Sequence, residues 1–404
     1  MNRRGFLSAA ALPLMLGADW PRFRGPNGFG AVELPGWPLT VPLTKNVLWQ
    51  TAIPGSGHGS PIAIGGKIFL QASGANGAER RLLRIEASSG RIEWSVSRPG
   101  KSAHAHKKNS LASSTPTADA ERVYVIVWDG AAVWVVGYDH FGKMLWEHKL
   151  GGYESQHGVG MSPVVHDGSV FVNYDQDGAA ELVALDAKSG KQVWSKKHKA
   201  FRACYSSPLI RTTKTAVEVV NASTAGVTAY DAKTGEVLRD WVWKFDGMAL
   251  RTVGSPMLTD KYLIAISGDG GGSRSMVVLT HDAAPEIVWE KKRDVPYVPG
   301  PVLHGEHLYW VTDNGIATCA ELATGRIVWS ERAFNKAVSA SPILLGDQVL
   351  AVAEDGKAIV FAASKTGYSV TSETVFADAV FATPAAADGR IYLRTTTTLY
   401  GLGR

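Results

Sequence analysis

Residues 162–194 read SPVVHDGSVFVNYDQDGAAELVALDAKSGKQVW. The stretch opens on Ser-Pro and continues as two apolar runs separated by Asp-Gly, the residue pair of a two-residue β-hairpin turn. It closes with a second hairpin, in which Trp194 follows the turn residue Gly190 by four positions. Proline suits the first residue of a strand, where no ladder donor is lost. The stretch therefore predicts four antiparallel strands, A to D, with Pro163 at the start of strand A and Trp194 in strand D.

The same unit recurs along the chain, and its recurrence predicts the fold class. Each copy opens on a small residue followed by Pro, at intervals of 41 to 55 residues, the size of a four-stranded propeller blade. The openings are at Pro61, Pro116, Pro163, Pro208, Pro256, Pro301, Pro342 and Pro384. One such sheet cannot bury both of its faces alone, whereas a closed ring of sheets can. We predict an all-β protein, an eight-bladed β-propeller of four-stranded antiparallel blades.

The two ends of the repeat array predict how the ring closes. The last unit stops at LYGLGR (399–404) after three strands, and NVLWQTAIP (46–54) supplies an extra strand before the first unit. We therefore predict that the strand of Trp49 completes the eighth blade by pairing with the stretch near Leu399. The resulting division of the chain is an export signal over residues 1–18, a lead-in segment over 19–45 and one propeller over 46–404.

A tryptophan recurs in strand D of most units, and we assign it a packing role. An aromatic side chain repeated once per blade buries a large area between blades and has one N–H group to satisfy. In the fourth unit either Trp241 or Trp243 fills this place, and the seventh unit has no tryptophan there. The predicted docking residues are Trp49, Trp94, Trp146, Trp194, Trp241, Trp289 and Trp329.

Composition excludes several classes of function. The net charge is +5 over 404 residues, and a nucleic-acid binder normally shows a basic stripe, so we predict no nucleic-acid role. Cys204 and Cys319 stand alone in different units, which favours free, buried thiols. After the leader no stretch approaches the roughly 18–20 apolar residues of a membrane span. We expect a monomer with no transmembrane span.

The first 18 residues, MNRRGFLSAAALPLMLGA, have the form of an export signal. A positive start precedes a short apolar run that ends in small residues. Arg3-Arg4 followed by Phe-Leu resembles a twin-arginine signal, and a general secretory signal that carries two arginines is the alternative. Cleavage after Ala18 would leave a soluble, periplasmic or otherwise exported chain.

The segments that lead into the A strands meet at one mouth of a propeller, and we expect a funnel there. The funnel candidates are His58, His104, His106, Lys107, Lys108, His157, Arg202, Tyr205, Arg251 and Tyr297. Three interpretations remain open: the polar lining of a wet channel, a pocket for a partner or an anionic ligand, and a histidine site for zinc or copper. The anionic pocket would use the lysines and arginines, because convergent cations raise the local anion concentration. We assign no catalytic residue and no metal ligand.

Two stretches of the sequence resemble those of a known family. ALDAKSGKQVW (184–194) is similar to the docking motif AxDxxTGxxxW, and DWPRFRGPNGFG (19–30) is similar to the opening of exported bacterial members. The chain thus resembles the pyrroloquinoline-quinone-like (PQQ-repeat, BamB-like) β-propellers. That family includes quinoprotein dehydrogenases, which bind PQQ and calcium in the central funnel, and BamB-type scaffolds, which bind no cofactor and hold partner proteins through loops.

Departures from the dehydrogenase pattern favour the scaffold over the dehydrogenase. The chain has no adjacent cysteine pair, no CxxCH haem motif, and Asp-Gly pairs that hairpin turns already explain. It also lacks the lipidation cysteine of the BamB type. We expect a non-catalytic, cofactor-free scaffold or ligand-binding module whose partner is an unknown periplasmic protein or small ligand. The alternative is a quinone- or metal-dependent oxidoreductase with PQQ and calcium in the funnel.

Overall fold

Eight antiparallel sheets surround one axis in the computed structural model, which describes residues 19–26, 28–33 and 42–403. Within each sheet the strands follow the order A, B, C, D. The A strands of neighbouring blades contact one another, which places them next to the axis. The predicted eight-bladed, all-β propeller is confirmed. The predicted export signal (residues 1–18) lies outside the described residues.

The blades follow one another around the ring in chain order, from blade 1 to blade 8. The A strands are Ile62–Ile64, Thr117–Ala118, Val164–His166, Leu209–Thr212, Met257–Leu258, Val302–His304, Ile343–Leu345 and Ala385–Ala387. The B strands are Lys67–Ser73, Arg122–Trp128, Ser169–Asp175, Val217–Ala222, Tyr262–Gly268, His307–Val311, Gln348–Val352 and Arg390–Arg394. The C strands are Glu79–Glu86, Val133–Asp139, Ala180–Asp186, Gly226–Asp231, Arg274–Thr280, Ile316–Glu321, Lys357–Ala362 and Thr398–Leu402. The D strands are Ile92–Pro99, Met144–Gly151, Gln192–Lys197, Val237–Val242, Ile287–Lys291, Ile327–Arg332, Val370–Val375 and, for blade 8, Val47–Ala52.

The ring closes as the chain ends predict. The strand Val47–Ala52 pairs antiparallel with the last C strand, with Trp49 opposite Gly401. The Trp49 ring nitrogen Nε1 donates a 3.1 Å hydrogen bond to the carbonyl of Ala87 in blade 1. The N-terminal strand therefore joins the last blade to the first through main-chain pairing and through its tryptophan.

Other strand-D tryptophans make the same contact with the next blade around the ring. Each donates its ring N–H over 2.8–3.2 Å to a carbonyl in the following C–D turn. The pairs are Trp94 with His140, Trp146 with Ala187, Trp194 with Ala232, Trp289 with Leu322 and Trp329 with Ser364. Trp241 differs: within the described residues its ring nitrogen makes no such bond, and its ring packs edge-on against Trp243 at 4.8 Å. The C–D turn of blade 5, which Trp241 would meet, has no glycine to receive an indole ring.

A second set of interblade bonds explains why Ser or Thr precedes Pro at the blade openings. The backbone N–H of this residue donates to the side-chain hydroxyl of the matching residue in the next blade, over 2.9–3.0 Å. The donor–acceptor pairs are Ser60–Thr115, Thr115–Ser162, Ser207–Ser255, Gly300–Ser341, Ser341–Thr383 and Thr383–Ser60. We call these six buried bonds the hydroxyl ring; they join six of the eight pairs of neighbouring blades, including blade 8 with blade 1, but not blades 3 and 4 or blades 5 and 6.

The lead-in enters the ring. Ala31–Val32 pairs in parallel with the A strand Ile343–Leu345, so blade 7 gains a fifth strand on its axial side. Trp20 exchanges two backbone hydrogen bonds with Ala63 in the A strand of blade 1. We call residues 19–26 and 28–33 the axial segment.

Outside the strands, the described residues contain two short 3-10 helices, Leu43–Asn46 and Ala75–Gly77. Neither has the length or apolar character needed to cross a membrane, and no other helix occurs in the part of the chain that the structure describes. Cys204 and Cys319 are buried and unpaired, in blades 4 and 6.

Candidate functional site

The mouth formed by the D–A connections and the B–C turns contains a cavity of about 470 Å³. Eight of the ten predicted funnel residues line it, although they come from six different connections. These residues are His58, His106, Lys108, His157, Arg202, Tyr205, Arg251 and Tyr297. We call this cavity the funnel.

Two predicted funnel residues, His104 and Lys107, lie elsewhere. Both side chains are exposed and neither lines the cavity. The sequence predicts both as funnel residues because they lie in a D–A connection. This connection has no regular strand, and Lys107 lies in a turn that the Asn109 N–H closes on the His106 carbonyl.

Arg251 is the most deeply buried cation that lines the funnel, with 2% of its surface exposed. Its Nη2 donates to the side-chain oxygen of Gln156 over 3.1 Å and lies 4.0 Å from a carboxylate oxygen of Asp177. Its Nε and Nη1 are buried without a hydrogen-bond partner among the described residues. Leaving such donors unpaired is costly, and hydrogen bonds to charged groups are the stronger kind. Arg251 therefore offers two unused donors.

Two further arginines line the same wall. Arg202 donates to the Ala249 carbonyl over 3.5 Å, and the structure records no acidic partner for it among the described residues. Arg274 lies over the ring of Tyr297 at 5.2 Å, with its Nε 3.9 Å from an oxygen of Asp313. Arg202 thus differs from Arg251 and Arg274, which lie 4.0 and 3.9 Å from a carboxylate oxygen.

On the opposite wall an ion pair spans the mouth. Lys108, in the connection between blades 1 and 2, lies 2.7 Å from a carboxylate oxygen of Glu354, in the B–C turn of blade 7. The Ser339 hydroxyl donates to the same oxygen over 2.6 Å. In the anionic-pocket interpretation of the sequence Lys108 would bind the anion, but Glu354 already compensates its charge.

The histidines that line the funnel contribute little positive charge at neutral pH. Burial, together with the positive charge of Arg251, lowers the pKa of His157 to about 4. Burial likewise lowers the pKa of His58, whose ring stacks on Phe381 at 4.0 Å, to about 4. The ring of His106 lies 4.8 Å from that of His157, and burial lowers its pKa also. The positive charge of the cavity at neutral pH therefore comes from the arginines and Lys108.

Three acidic side chains at the funnel were not predicted from the sequence, because they lie in B–C turns and only the D–A connections were considered. Asp269, Asp313 and Glu354 each follow a B strand and reach the funnel or its cations. Strand B runs back toward the mouth from which strand A departs, so its end lies at the same mouth as the D–A connections. This alternation of direction is inherent in the repeat and is the signal that could have identified these residues.

The tyrosine and cysteine at the funnel wall are protonated at neutral pH. Burial raises the pKa of Tyr205 to about 12 and of the Cys204 thiol behind it to about 12, so neither ionises readily at neutral pH. Within the described residues no group of three His, Cys, Asp or Glu side chains is arranged to hold a metal ion. A calcium cage needs several converging oxygen ligands, and no such cluster of Asp and Glu side chains occurs in the described part of the chain.

A larger cavity of about 760 Å³ lies on the opposite face, between blades 5, 6 and 7. Its cationic and acidic side chains are evenly matched: Lys261, Arg326 and Lys365 against Asp260, Glu306 and Glu321. Arg326 is already paired with Glu321. Among the described residues this groove therefore presents no buried guanidinium group with unpartnered donors comparable to Arg251.

The chain is similar to BamB proteins and, in structure, to a quinohemoprotein alcohol dehydrogenase. The chain is 26% identical over 171 residues to the outer membrane protein assembly factor BamB of Shewanella oneidensis; the match covers 39% of this chain and 41% of that relative. The BamB structure from Moraxella catarrhalis is 14% identical, with a TM-score of 0.65 over 89% of this chain and 97% of that one. The quinohemoprotein alcohol dehydrogenase of Comamonas testosteroni is 14% identical, with a TM-score of 0.71 over 96% and 81%.

At 14% identity the two structural likenesses show a shared propeller fold and do not separate scaffold from dehydrogenase. The sequence profile of one family covers most of the propeller, in three overlapping segments, residues 42–136, 131–280 and 273–370. The chain belongs to this family, PQQ_2, which is described as outer membrane protein assembly factor BamB.

Proposed function

We propose that this chain is an exported, non-catalytic scaffold that holds a periplasmic protein at the funnel mouth and receives an anionic group of that partner in the funnel. The observation that carries the proposal is Arg251, which is 2% exposed and has two guanidinium nitrogens without partners among the described residues. A carboxylate oxygen is a strong acceptor for either nitrogen, because hydrogen bonds between charged groups are stronger than neutral ones.

Apolar side chains at the rim support a protein partner over a free ion. Phe201 is 59% exposed and Met248 is 71% exposed. They stand in consecutive D–A connections, beside the funnel residues Arg202 and Arg251, and the bond from Arg202 to the Ala249 carbonyl ties the two connections together. Large exposed apolar groups next to a polar pocket are typical of protein interaction sites.

The family and the leader support the location. The Shewanella relative and the Moraxella structure are both BamB proteins, and the name of the former describes an assembly factor. The twin-arginine-like leader and the periplasmic destination remain predictions from residues 1–18. Together these features favour a periplasmic scaffold that differs from the BamB type in having no lipidation cysteine after its leader.

The alternative function is oxidoreduction with PQQ and calcium in the funnel, which the likeness to the Comamonas dehydrogenase motivates. The residues present do not fit that cofactor set, because the described funnel lacks a calcium cage and Cys204 and Cys319 lie in different blades. An absorption spectrum and metal analysis of the protein purified from its native periplasm would decide. A stoichiometric quinone chromophore or bound metal would overturn the scaffold proposal.

Site-directed photocross-linking in the native periplasm tests the scaffold directly. A photoreactive amino acid at Phe201 is expected to trap one defined partner, whereas the same group at Phe141 is not. Phe141 is the matched control because it is 81% exposed but lies in a C–D turn, at the opposite mouth.

The role of the buried cation is tested in the same experiment. Arg251→Met in the Phe201 cross-linking chain is expected to lower the yield at least tenfold, because the anionic group of the partner loses a charged hydrogen-bond donor. Equal cross-linking from both positions, or a yield that Arg251→Met leaves unchanged, would contradict the proposal.

A further inference from the structure

The axial segment fills the channel beneath the funnel. From Trp20, paired with Ala63 of blade 1, the chain crosses the axis to blade 7, where Gly30 accepts a hydrogen bond from the Leu344 N–H over 2.7 Å. On the way the Pro21 carbonyl accepts a bond from the Ala118 N–H of blade 2. The segment thus bonds to A strands on both sides of the axis.

The interior of the segment is held by arginines that face no solvent. Arg24 is 2% exposed; one guanidinium nitrogen donates to the Phe29 carbonyl over 2.9 Å, and the same nitrogen bonds the Pro301 carbonyl of blade 6. Arg22 is 8% exposed, and burial lowers the pKa of both arginines to about 10. They remain charged at neutral pH, so carbonyl groups must stabilise them in place.

The ring is shaped to receive Arg24. In seven blades Ser or Thr precedes the opening Pro, but in blade 6 this residue is Gly300. A β-carbon on Gly300 would lie 1.7 Å from the Arg24 Nη1. The position in the hydroxyl ring that lacks a side chain is therefore the position against which the Arg24 guanidinium group packs.

We infer that the axial segment is a fixed plug that closes the channel, so that the cationic funnel is a dead-end pocket entered from the mouth of the D–A connections. The consequence for entry rests on the proposed function, whereas the plug itself does not. Arg24 also bonds the carbonyl next to Gly300, at the end of the wall segment that carries Tyr297 and Val298. The plug therefore forms the floor of the funnel and supports one of its walls.

Trypsin digestion of the native full chain tests the plug. Cleavage after Arg22 or Arg24 leaves a chain that begins at Phe23 or Gly25, which mass spectrometry identifies. A fixed plug is cleaved only through global unfolding, so its cleavage rate must follow the unfolding equilibrium as denaturant is varied. Cleavage at these arginines while the propeller remains folded would overturn the inference.

Gly300→Ser is the test variant and Gly247→Ser is its matched control, because a β-carbon at Gly247 meets no atom within 4 Å. Gly300→Ser is expected to expel Arg24 and to raise cleavage at the two arginines at least tenfold, with the control unchanged. Resistance of Gly300→Ser equal to that of the wild type would also overturn the inference.

If Gly300→Ser does not fold, Trp20→Ala, which removes a 1% exposed indole from the plug, is read in the same assay with the same two outcomes. No ligand enters these measurements. A protected plug in a protein without Arg251-dependent cross-linking would therefore refute the proposed function and leave the plug intact.

Discussion

Thr383→Val probes the bond that comes just before ring closure in the hydroxyl ring. The Thr383 hydroxyl accepts the Ser341 N–H over 3.0 Å, and both residues are at least 96% buried. Valine has nearly the same shape, so the change opens no large cavity and leaves the Ser341 N–H without an acceptor. A buried donor left unpaired costs about 1–3 kcal/mol, and the added methyl group recovers up to about 0.8 kcal/mol. We expect a net loss of about 1–2 kcal/mol in the free energy of unfolding.

The assay is equilibrium urea unfolding followed by tryptophan fluorescence, with Thr383→Ser as the control. Serine keeps the acceptor oxygen, so its effect is expected to be no more than half that of valine. The transition midpoint should shift while its slope stays constant, because the surface exposed on unfolding is unchanged. A valine variant within about 0.3 kcal/mol of the serine variant would refute the role of the hydroxyl ring in stability.

Three further outcomes follow from the same structure. Gly190→Ala should lower the free energy of unfolding, measured in urea, by about 1–3 kcal/mol more than Gly168→Ala does. Both glycines have φ near +70°, but only at Gly190 would a β-carbon meet an indole, that of Trp146, at 2.4 Å. Equal losses of stability would contradict the packing of the indole on the glycine. Stability should fall as pH drops from about 6.5 to about 4, because the unfolded chain binds protons on His58 and His157 that the folded chain does not. His58→Gln should flatten that slope in urea titrations between these pH values, and an unchanged slope would count against His58. Glu354→Gln should free Lys108 and raise the Arg251-dependent cross-linking yield severalfold, whereas a lower yield would show that the ion pair itself supports the partner.

Much of the ring could be predicted because its determinants are local and repeated. Ser-Pro openings, Asp-Gly hairpins and the Gly-to-Trp spacing recur along the chain, and the orphan strand of Trp49 had one incomplete blade to join. Trp241 shows where such reasoning fails, because whether a tryptophan docks depends on the C–D turn of the next blade as well as on its own unit. The repeat fixes the position of the receiving turn, but the missing glycine is visible only when one unit is compared with its neighbour.

The funnel could be predicted from the direction of the chain, and the errors in it are errors of local conformation. D–A connections must reach one mouth, which brings eight of the predicted residues together, but His104 and Lys107 in the irregular connection between blades 1 and 2 are exposed and do not line the cavity. The acidic partners were missed because the D–A connections are only half of the segments at that mouth. Charge compensation, as between Lys108 and Glu354, depends on blades far apart in sequence and could not be read from spacing.

The contact between Gly300 and Arg24 occurs at the one blade opening that departs from the Ser/Thr-Pro repeat. In six units the hydroxyl before proline accepts a bond from the preceding blade, so ring stability alone would favour Ser or Thr in blade 6 as well. Gly300 still donates its N–H to Ser341, but it offers no acceptor to blade 5, and that link of the ring is lost. The space is instead filled by a guanidinium group that bonds the adjacent carbonyl. Gly300 in place of Ser or Thr costs one interblade bond, and the best explanation is that it makes room for Arg24. In a repeat protein, a unit that departs from the consensus can therefore indicate where a segment outside the repeats binds.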